Sequence, residues 1–590
     1  MVVDRRRQVS KVASLGEHRH LLPYHHGASI TVRRHVTKAA TPEQCASLPL
    51  QTATGALRYD MAEIYRRACP STAARIQQLI HSINRPFGDD VAAVAQVDVP
   101  RSRASRADIQ KRVAAGGVRF VGADRERQFP SRGTVNVFSV PELHKEPPRR
   151  RAIDHPVEQN DAVYESEYSN QAEILPAYRH LNVVFEECSV VCDITASYYG
   201  SALDDLGASF YRFRDESGRL CELTLHMMGH VLTSEVQHLI TCVIIGHPDH
   251  VRAEFDVCKL AGLQAVPIAY IDNALFAGNW ANVRKARSVL QAACKACNVA
   301  MNIGDVGTVN EFLGMEVSHG DKTVRLGKKT RSKLPQSIPH IMRAGDLEGL
   351  IGRLIFSAQI QQEPLVKHWW ALKWCRRVFN QLNYGKIDVD AMIKIDQQSV
   401  RRSLSYWLRT CDQPHRVRAV KSAGAQFVLF TDATLEGWGA VLVDVDTNQI
   451  FVTGARFTGV LSDININISA KEAAAIELAL RAFSDKVATA QYIHFVVDNT
   501  SAQHGVLRGQ VRAASLVPHV AAIWDMLFKH NVQATVQYVK SADNPADELS
   551  RELPLLIDKL RHATGHASAN LRLGAMGASS FFTPLASVSR

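Results

Sequence analysis

Four acidic residues in the C-terminal third of the chain lie where predicted strands and helices begin or end. They are Asp432 in "FTDAT", Glu472 in "SAKEAAAIELAL", Asp498 in "HFVVDNT" and Asp547 in "NPADELSR". Each has an ordinary structural interpretation. Asp432 can be an edge-strand acid, and Glu472 can complete a capping box with Ser469. Asp498 and Asp547 can each be a helix N-cap, so no single residue predicts chemistry.

The order of the elements that carry these residues changes the interpretation. From residue 425 the pattern predicts a strand, a hairpin, a strand, a helix, a strand, two helices and a strand, with "DTN" as the tight turn of the hairpin. Alternating units of this kind predict a central mixed sheet covered by helices. Four carboxylates in this order can converge on two divalent cations about 4 Å apart, which activate a water and stabilise the leaving oxygen of a phosphate.

The segments around the carboxylates also carry a family resemblance. "LFTDATLEGWGAVL", "SAKEAAAIELAL", "VVDNTSAQHGVLRG" and "YVKSADNPADELSRE", in that order, resemble the ribonuclease H domain of retroelement polyproteins. The resemblance implies that Asp432, Glu472, Asp498 and Asp547 hold two Mg²⁺ ions, with Mn²⁺ as a substitute, and cut the RNA strand of an RNA–DNA hybrid. The "NPADELSR" ending is similar to that of the gypsy and DIRS-like groups, including the VIPER type of kinetoplastids.

Reverse transcriptases place such a nuclease behind a polymerase, and the upstream sequence resembles a polymerase palm. In "CSVVCDITASYYG" an apolar strand leads to Asp193, followed by Tyr198, which resembles the aromatic gate that excludes a ribose 2′-OH. "AYIDNALFAG" predicts a short β-hairpin with Asp272-Asn273 at its tip, and an ordinary turn there does no chemistry. The family carries two adjacent aspartates at this tip. The resemblance therefore implies that Asp193 and Asp272 bind the polymerase metals, and Asn273 offers only a neutral carbonyl oxygen.

The change at Asn273 leaves three functional hypotheses. Losing one preorganised electrostatic group at a catalytic centre often costs ~10²–10³ in rate, which predicts a slowed or lost polymerase beside an intact ribonuclease H. A degenerate or domesticated copy would bind RNA or RNA–DNA hybrid without catalysis. A nuclease with a scaffold in place of the polymerase would cleave hybrid and never extend a primer.

An arginine run precedes the predicted palm. "KEPPRRRAIDHPVEQN" resembles the fingers segment whose cations meet the nucleotide triphosphate, with Arg149, Arg150 and Arg151 as candidates. Three guanidinium groups suit phosphate oxygens, and the ordinary alternative is a solvated basic loop.

Two further motifs complete the polymerase resemblance. "MMGHVLTS" with Gly229 resembles the segment under the template and the incoming nucleotide, although the usual Pro before this glycine is absent. "EFLGMEVS" resembles the hairpin that grips the primer end, through Phe312, Leu313 and Gly314.

A helical segment follows the palm. Trp370 and Trp374 share one face of the predicted helix, and Lys373, Arg376 and Arg377 share another. This pattern predicts a core stripe beneath a basic surface, which a thumb lying along a duplex backbone would use.

The predicted architecture is an α+β multidomain chain, with a right-hand polymerase of fingers, palm and thumb followed by an α/β ribonuclease H-like domain. The predicted regions are a partly disordered region of unknown fold (1–115), fingers and palm (116–335), a helical thumb and connection (336–424), the ribonuclease H-like domain (425–560) and a flexible tail (561–590).

Composition agrees with a nucleic-acid enzyme. The 590 residues carry a net charge of +11 and are 46% hydrophobic, which suits a packed multidomain protein with polyanionic partners. The partners implied are an RNA template, a DNA primer, RNA–DNA hybrid and deoxynucleotide triphosphates. Eleven cysteines at irregular spacing, without a secretory segment, predict reduced thiols in the cytoplasm or nucleus, with Cys294 and Cys297 as core thiols. The apolar runs are too short for membrane insertion.

Overall fold

The computed structural model describes residues 49–51, 58–102, 105–142, 147–165, 185–361, 363–416 and 424–565. The predictions for residues 1–48 and for the tail beyond residue 565 lie outside this part. The described residues divide into two compact units, here called the N-terminal unit (the described residues up to Lys322) and the C-terminal unit (the described residues from Thr323). Helices and several sheets are mixed in the chain, as the sequence predicts.

The N-terminal unit contains mostly short strands, and two of its longest strands carry the candidate residues Asp193 and Arg149 to Arg151. Its strands are β1 (Leu50–Gln51), β2 (Val118–Phe120), β3 (Asn136–Glu142), β4 (Arg149–His155), β5 (Cys188–Ile194), β6 (Arg212–Arg214), β7 (Leu220–Leu223), β8 (Ile268–Tyr270), β9 (Asn273–Gly278), β10 (Met301–Ile303), β11 (Val309–Phe312) and β12 (Met315–Ser318). Its helices are α1 (Met61–Arg67), α2 (Pro70–Asn84), α3 (Arg106–Ala114), α4 (Ala123–Gln128), α5 (Val157–Glu165), α6 (Asp205–Ala208), α7 (Thr233–Ile244), α8 (Val257–Ala261) and α9 (Trp280–Ala296).

Three sheets and a hairpin organise this unit. The central sheet is antiparallel, with strand order β10-β5-β9-β8. Two three-stranded sheets have the orders β1-β4-β3 and β2-β7-β6, and β11 pairs with β12. Ile64 of α1 and Ile76 of α2 belong to the same buried core as Val190 and Phe276 of the central sheet. The predicted boundary near residue 115 is therefore not a boundary in the packing, because the described residues before it complete this core.

The hairpin predicted from "AYIDNALFAG" is present, with its tip one residue earlier than predicted. β8 and β9 are joined by Ile271 and Asp272, and Ile271 has a φ of +55°. Asn273 is the first residue of β9 rather than part of the turn, because it pairs with Asp193 of β5.

The C-terminal unit begins with short strands and helices and ends in a large sheet. Its strands are β13 (Thr323–Leu326), β14 (Ile341–Arg343), β15 (Met392–Lys394), β16 (His415–Arg416), β17 (Ala425–Ala433), β18 (Gly437–Asp444), β19 (Ile450–Arg456), β20 (Ala490–Val497) and β21 (Gln533–Tyr538). Its helices are α10 (Lys328–Arg331), α11 (Ala344–Ile360), α12 (Trp369–Asn383), α13 (Gln398–Thr410), α14 (Ile468–Ala482), α15 (Ser484–Thr489), α16 (Thr500–Arg508), α17 (Val517–Lys529) and α18 (Asp547–Ser550), and residues 557–565 form a further helix, α19.

The five-stranded sheet has the order β19-β18-β17-β20-β21. β17, β18 and β19 are antiparallel, whereas β20 and β21 run parallel to β17. Alternate residues of the buried central strand point to opposite faces. Leu429 packs in the core with Ile476 of α14, and Phe430 packs in a second core with Leu560 of α19. The prediction of a mixed sheet covered by helices is confirmed, including the turn at "DTN".

The helical segment before this sheet shares its core. Val366 and Trp369 lie in the same buried cluster as Phe427 of β17. The prediction that Trp370 and Trp374 form a core stripe is wrong, because Trp369 is 4% exposed and Trp370 is 60% exposed. The phase of α12 is set by Trp369, whose Nε1 donates a hydrogen bond to the carbonyl of Val511 at 3.0 Å.

The remaining general predictions concern membranes and thiols. No helix in the described ranges combines the length and apolar character that a membrane crossing requires. Cys294 and Cys297 are buried free thiols, and burial raises their pKa values to about 12 and about 11. The core-thiol interpretation is confirmed for both.

Candidate functional site

Three of the predicted carboxylates meet at the end of the five-stranded sheet where the parallel strands β17 and β20 finish. Asp432 lies near the end of β17, and Asp498 directly follows β20. β17 and β20 are parallel neighbours with Phe430 opposite Val496, so both carboxylates leave the same edge. With Glu472 of α14, each offers one ligand oxygen within 4.8 Å of the other two. Because β17 is the central strand, the edge-strand interpretation of Asp432 is wrong.

The burial of this carboxylate cluster fits a bound cation. Asp432 is 3% exposed and Glu472 is 5% exposed. Glu472 Oε2 and Asp498 Oδ1 are buried without a hydrogen-bond partner. Buried polar atoms of folded proteins nearly always have a partner, and hard divalent cations take carboxylate oxygens as ligands. The carboxylate cluster therefore has the chemistry and the unused oxygens of a divalent-metal site.

The electrostatics of the carboxylate cluster agree with this assignment. Burial, with repulsion from Asp498 and Asp547, raises the pKa of Asp432 to about 7. Burial, followed by repulsion from Asp432 and Asp498, raises the pKa of Glu472 to about 9. These raised pKa values mean that ionising both carboxyl groups is unfavourable unless a bound cation compensates their negative charge.

Asp547 lies beside the cluster as a fourth carboxylate. It is the first residue of α18, and its charge raises the pKa values of both Asp432 and Glu472. Its Oδ1 accepts hydrogen bonds from Arg551 Nε at 3.1 Å and from Arg551 Nη2 at 2.9 Å. The N-cap interpretation of Asp547 is wrong, because the N-cap residue of α18 is Ala546.

The capping interpretations of Glu472 and Asp498 are also wrong. Asn467 is the N-cap of α14, and its side chain accepts a hydrogen bond from the Ser469 backbone at 2.8 Å. Ser469 is therefore inside the helix and forms no capping box with Glu472. Asn499, not Asp498, caps α16 by accepting hydrogen bonds from the backbone of the next turn. The ordinary structural roles are filled by neighbouring residues, which leaves the carboxylates free for other functions.

Sequence reasoning missed the residues that hold the cluster in place. Ser550 Oγ donates a hydrogen bond to Asp432 Oδ2 at 2.5 Å. Asn544 Nδ2 donates to the carbonyl of Thr431 at 2.9 Å, which ties the segment before α18 to β17. A Cβ on Gly439 would lie 2.5 Å from the Ser550 backbone nitrogen, so only glycine lets α18 pack directly on β18. The segment "NPADELSR" contains two of these residues, because Asn544 and Ser550 lie on either side of Asp547.

The candidate polymerase residues lie together on the central sheet of the N-terminal unit. Asp193 of β5 pairs directly with Asn273 of β9 and with Asn302 of β10. Directly paired residues place their side chains on the same face, so Asp193 lies between two asparagines. Asp272 is adjacent in the turn, and its carbonyl accepts a hydrogen bond from the Ile194 backbone at 2.8 Å. Sequence reasoning missed Asn302, which only the strand register reveals.

Both oxygens of the Asp272 carboxylate accept hydrogen bonds. Asn273 Nδ2 donates to Oδ1 at 2.8 Å, and Ser197 Oγ donates to Oδ2 at 3.3 Å. Burial raises the pKa of Asp272, while these two bonds and the charge of Arg151 lower it. Asn273 thus orients Asp272 and carries no charge of its own.

The three arginines of β4 lie on two faces. Arg150 is buried and donates to both carboxylate oxygens of Asp108 on α3. Arg149 and Arg151 lie on the opposite face, because side chains alternate along a strand. The charge of Arg151 partly offsets the burial that raises the pKa of Tyr198, as it does for Asp272. The structure therefore brings Arg151 towards Asp272 and Tyr198 and directs Arg150 away from them.

Tyr198 and Gly229 have defined neighbours. The Tyr198 hydroxyl lies 3.3 Å from Ser234 Oγ. Gly229 has a φ of +125°, and a Cβ there would lie 2.3 Å from the carbonyl oxygen of Asp154 on β4. Gly229 is thus required for close packing against the strand that carries the arginines. Asn160 Nδ2 supports this contact by donating to the Gly229 carbonyl at 2.9 Å.

The hairpin predicted around Phe312, Leu313 and Gly314 is present as β11 and β12. Leu313 and Gly314 form its two-residue turn with φ values of +51° and +77°, and Phe312 is buried. Positive φ at both turn positions matches the twist of a tight hairpin. Asn310 Nδ2 donates to the Ser189 carbonyl of β5 at 2.9 Å, which ties the hairpin to the strand that carries the Asp193 carboxylate.

Comparisons with known proteins give structural neighbours and no sequence match. No protein-family model matches the chain, and no curated protein matches it. Structures of the foamy viral protease-reverse transcriptase match 81% of this chain. The form named dRH, in complex with double-stranded DNA, matches over 81% of its own length at 12% identity and a TM-score of 0.42. The complex with RNA/DNA hybrid matches over 62% at 11% identity and 0.42. A further complex with double-stranded DNA matches over 96% at 12% identity and 0.41.

The raised pKa values predict how metal-free stability depends on pH. A carboxyl group whose pKa is higher in the folded state contributes stability below pH ~4, and that contribution is lost as pH rises through the folded values of about 7 for Asp432 and about 9 for Glu472. We expect Asp432→Asn to unfold at a higher temperature than the parent chain in EDTA, with a margin that widens from pH 5 to pH 7, where the contribution of the Asp432 carboxyl group is lost. Each kcal/mol corresponds to about 2–4 °C.

Thermal unfolding followed by circular dichroism measures this margin. Asp558→Asn, which changes a carboxylate that is 99% exposed, is the matched control and should show no widening. Saturating Mg²⁺ should stabilise the parent chain most at pH 9. A margin that is constant across this pH range would contradict the prediction.

The Ser550 hydrogen bond predicts a loss of metal affinity when it is removed. Groups that orient metal ligands typically contribute 10–100-fold to affinity. We expect Ser550→Ala to weaken Mn²⁺ binding about 10-fold or more in a titration followed by electron paramagnetic resonance. Ser462→Ala removes an exposed hydroxyl that bonds only locally and should bind Mn²⁺ like the parent chain. Equal affinity in the two variants would show that Ser550 does not position Asp432.

Proposed function

We propose that the chain is a retroelement-type RNA-directed DNA polymerase with ribonuclease H activity. The observation that carries the proposal is the carboxylate cluster of Asp432, Glu472 and Asp498, with Asp547 beside it, at the edge of a mixed five-stranded sheet. The motif order in the sequence supports the same assignment. We propose the gypsy/DIRS-like group, including the VIPER type, as its class and the cytoplasm or nucleus as its location.

The ribonuclease H-like part would cleave the RNA strand of an RNA–DNA hybrid. Asp432, Glu472, Asp498 and Asp547 would hold two divalent cations, with Mg²⁺ as the natural ion and Mn²⁺ as a substitute. Cations bound there supply an activated water and stabilise the leaving oxygen. Glu472 would give up its proton on binding, because its unused Oε2 becomes a ligand. Ser550 and Arg551 would keep the oxygens of Asp432 and Asp547 in fixed positions.

The polymerase part would join deoxynucleotides to a DNA primer on an RNA template. Asp193 and Asp272 would hold the metals, and Arg149 and Arg151 would bind the triphosphate from the exposed side of β4. In this proposal Arg150 positions the strand through Asp108. Tyr198 would test the sugar of the incoming nucleotide.

The remaining motifs fit the same proposal. Gly229 would allow the segment beneath the site to pack closely against β4. Phe312, Leu313 and Gly314 would support the primer end. The described residues before Lys322 would be fingers and palm, and the helical part of the C-terminal unit would be thumb and connection.

A nuclease with an inactive polymerase is the second candidate function. The Asn273–Asp272 hydrogen bond favours it, because the side chain of Asn273 orients Asp272 and adds no charge of its own. A domesticated copy that only binds nucleic acid is the third, and the complete carboxylate cluster argues against it.

Primer extension and RNA cleavage, measured together, test the proposal. The purified chain with Mg²⁺ or Mn²⁺, a labelled RNA template and an annealed DNA primer should show both activities. Asp193→Asn should abolish extension alone, and Asp498→Asn should abolish cleavage alone. Asp124→Asn and Asp558→Asn change exposed carboxylates of the same two units and should retain both activities. Cleavage without extension selects the second candidate, and hybrid binding without either activity selects the third.

Asn273→Asp tests the first residue of β9. Restoring the second carboxylate would place a negative charge opposite the metals and the triphosphate, so we expect primer extension to rise by ~10²–10³. Cleavage in the same preparation should not change, which serves as the internal control. An extension rate equal to that of the parent chain would show that position 273 is not a metal ligand.

A further inference from the structure

Residues 58–60 are bonded to two later parts of the N-terminal unit. The Tyr59 backbone donates a hydrogen bond to the Gly200 carbonyl at 3.0 Å, and the Asp60 backbone donates to the Cys297 carbonyl at 2.9 Å. In the sequence these residues precede every motif that resembles a polymerase. The structure nevertheless places them against the segment that follows the Asp193 strand.

The side chain of Tyr59 has a fixed place in the core. It is buried, and it belongs to the same core as Val190 and Phe276 of the central sheet. A Cβ on Gly200 would lie 2.2 Å from Cζ of the Tyr59 ring, so only glycine allows this close approach. Because the ring cannot move, the direction of its hydroxyl group is also fixed.

The Tyr59 hydroxyl group lies between two buried acceptors. It donates to the Ser197 carbonyl at 2.8 Å and to Gln237 Oε1 at 3.1 Å, and its single proton is shared between them. Gln237 belongs to α7, and its Nε2 donates to Thr241 Oγ1 one turn further along at 3.2 Å. The hydroxyl group therefore connects the backbone of Ser197 to a well-anchored side chain of α7.

Ser197 follows a strained residue and contacts a candidate metal ligand. Ala196 has a φ of +52°, a conformation that a residue with a side chain keeps only where the surrounding contacts hold it. Ser197 Oγ donates to Asp272 Oδ2 at 3.3 Å. The hydrogen bond from Tyr59 thus fixes the stretch of backbone from which the donor to Asp272 projects.

The same helix supports the other side of the Asp272 turn. Ile271 has a φ of +55°, which is unusual for a β-branched residue. Its backbone donates to His238 Nδ1 at 3.2 Å, and His238 is the residue after Gln237 in α7. α7 therefore holds the Asp272 backbone directly and the Asp272 carboxylate through Tyr59 and Ser197.

We propose that Tyr59 is a positioning residue of the polymerase metal centre, whose hydroxyl group holds Ser197 so that Ser197 Oγ orients the Asp272 carboxylate for a divalent cation. This inference rests on the proposed polymerase function and extends its site to a segment outside the polymerase motifs. Groups that orient metal ligands typically contribute 10–100-fold to affinity. Tyr59 acts one hydrogen bond further away, so we expect the lower end of that range.

Mn²⁺ binding tests Tyr59 without any nucleotide or primer. Every chain in this titration carries Asp432→Asn and Asp498→Asn, which disable the carboxylate cluster. The Mn²⁺ binding that a further Asp272→Asn change removes then belongs to the polymerase centre. We expect Tyr59→Phe to weaken this binding about 10-fold in a titration followed by electron paramagnetic resonance.

Tyr65→Phe is the matched control, because it removes a partly buried hydroxyl group from α1 of the same unit. Burial alone raises the pKa of Tyr65, whereas the charge of Asp272 also contributes for Tyr59. The control should bind Mn²⁺ like the parent chain. Ser197→Ala should weaken Mn²⁺ binding at least as much as Tyr59→Phe. Adding Tyr59→Phe to Ser197→Ala should have no further effect, because the donor that Tyr59 positions is already absent.

The Mg²⁺ dependence of primer extension distinguishes positioning from a general loss of structure. With the carboxylate cluster intact, Tyr59→Phe should extend a primer about 10-fold more slowly than the parent chain when Mg²⁺ is well below saturation. At saturating Mg²⁺ the two rates should be equal, because the defect lies in metal affinity. A rate that is lower by the same factor at every Mg²⁺ concentration would overturn the positioning role.

The outcomes separate this inference from the proposed function. Equal Mn²⁺ affinity in Tyr59→Phe and the parent chain would overturn the inference, even if the chain extends primers. Weakened binding at the polymerase centre of a chain that never extends a primer would support the role of Tyr59 and overturn the polymerase. Mn²⁺ binding that Asp272→Asn leaves unchanged would overturn the metal centre and this inference with it.

Discussion

Mutual repulsion among buried carboxylates is the constraint on which the C-terminal unit depends. Three acids with oxygens within 4.8 Å of one another cannot all ionise cheaply in a buried site. The fold holds them there by distributing them over a central strand, a helix and a strand end, so that no local segment can relax alone. Ser550, Asn544 and Gly439 then lock the last element onto the sheet. The rigid sheet thus sustains a local concentration of charge that an isolated peptide would avoid.

In the N-terminal unit, by contrast, buried charged side chains are paired with side chains of opposite charge. Arg150 and Asp154 of β4 bind Asp108 and Arg112 of α3 in two reciprocal, two-pronged ion pairs, and the Arg112–Asp154 bonds measure 2.9 and 2.7 Å. The partners are four residues apart on both elements. Buried pairs of this kind add little net stability, but breaking one leaves an uncompensated charge and is strongly unfavourable. Their effect is to fix how β4 lies on α3, and hence the direction in which Arg151 points.

Elements with a strong apolar pattern could be predicted from the sequence. The side of a helix or strand that is buried, and the residues that hold the site in place, could not. The central strands around Asp432 are nearly continuous apolar runs, and the helix of Glu472 is rich in alanine, so both followed from local pattern. Trp369 and Trp370 are adjacent and chemically alike, and only the partner carbonyl of Val511 decides which of them is buried. Arg150 is likewise indistinguishable from its neighbours until strand alternation and Asp108 are known. The contacts of Asn302 and Gly439 depend on strand register and on distances between elements. Neither can be predicted from a single sequence.

The position of α18 in the chain has a consequence for biosynthesis. Asp432 and Ser550 are separated by 118 positions in sequence, and the intervening residues include four of the five sheet strands in full. During translation the sheet can close before α18 leaves the ribosome, because domains fold as units while the chain grows. Until then Asp432 lacks its Ser550 donor and Asp547 is absent. The carboxylate cluster is therefore completed only when nearly the whole described chain has been made.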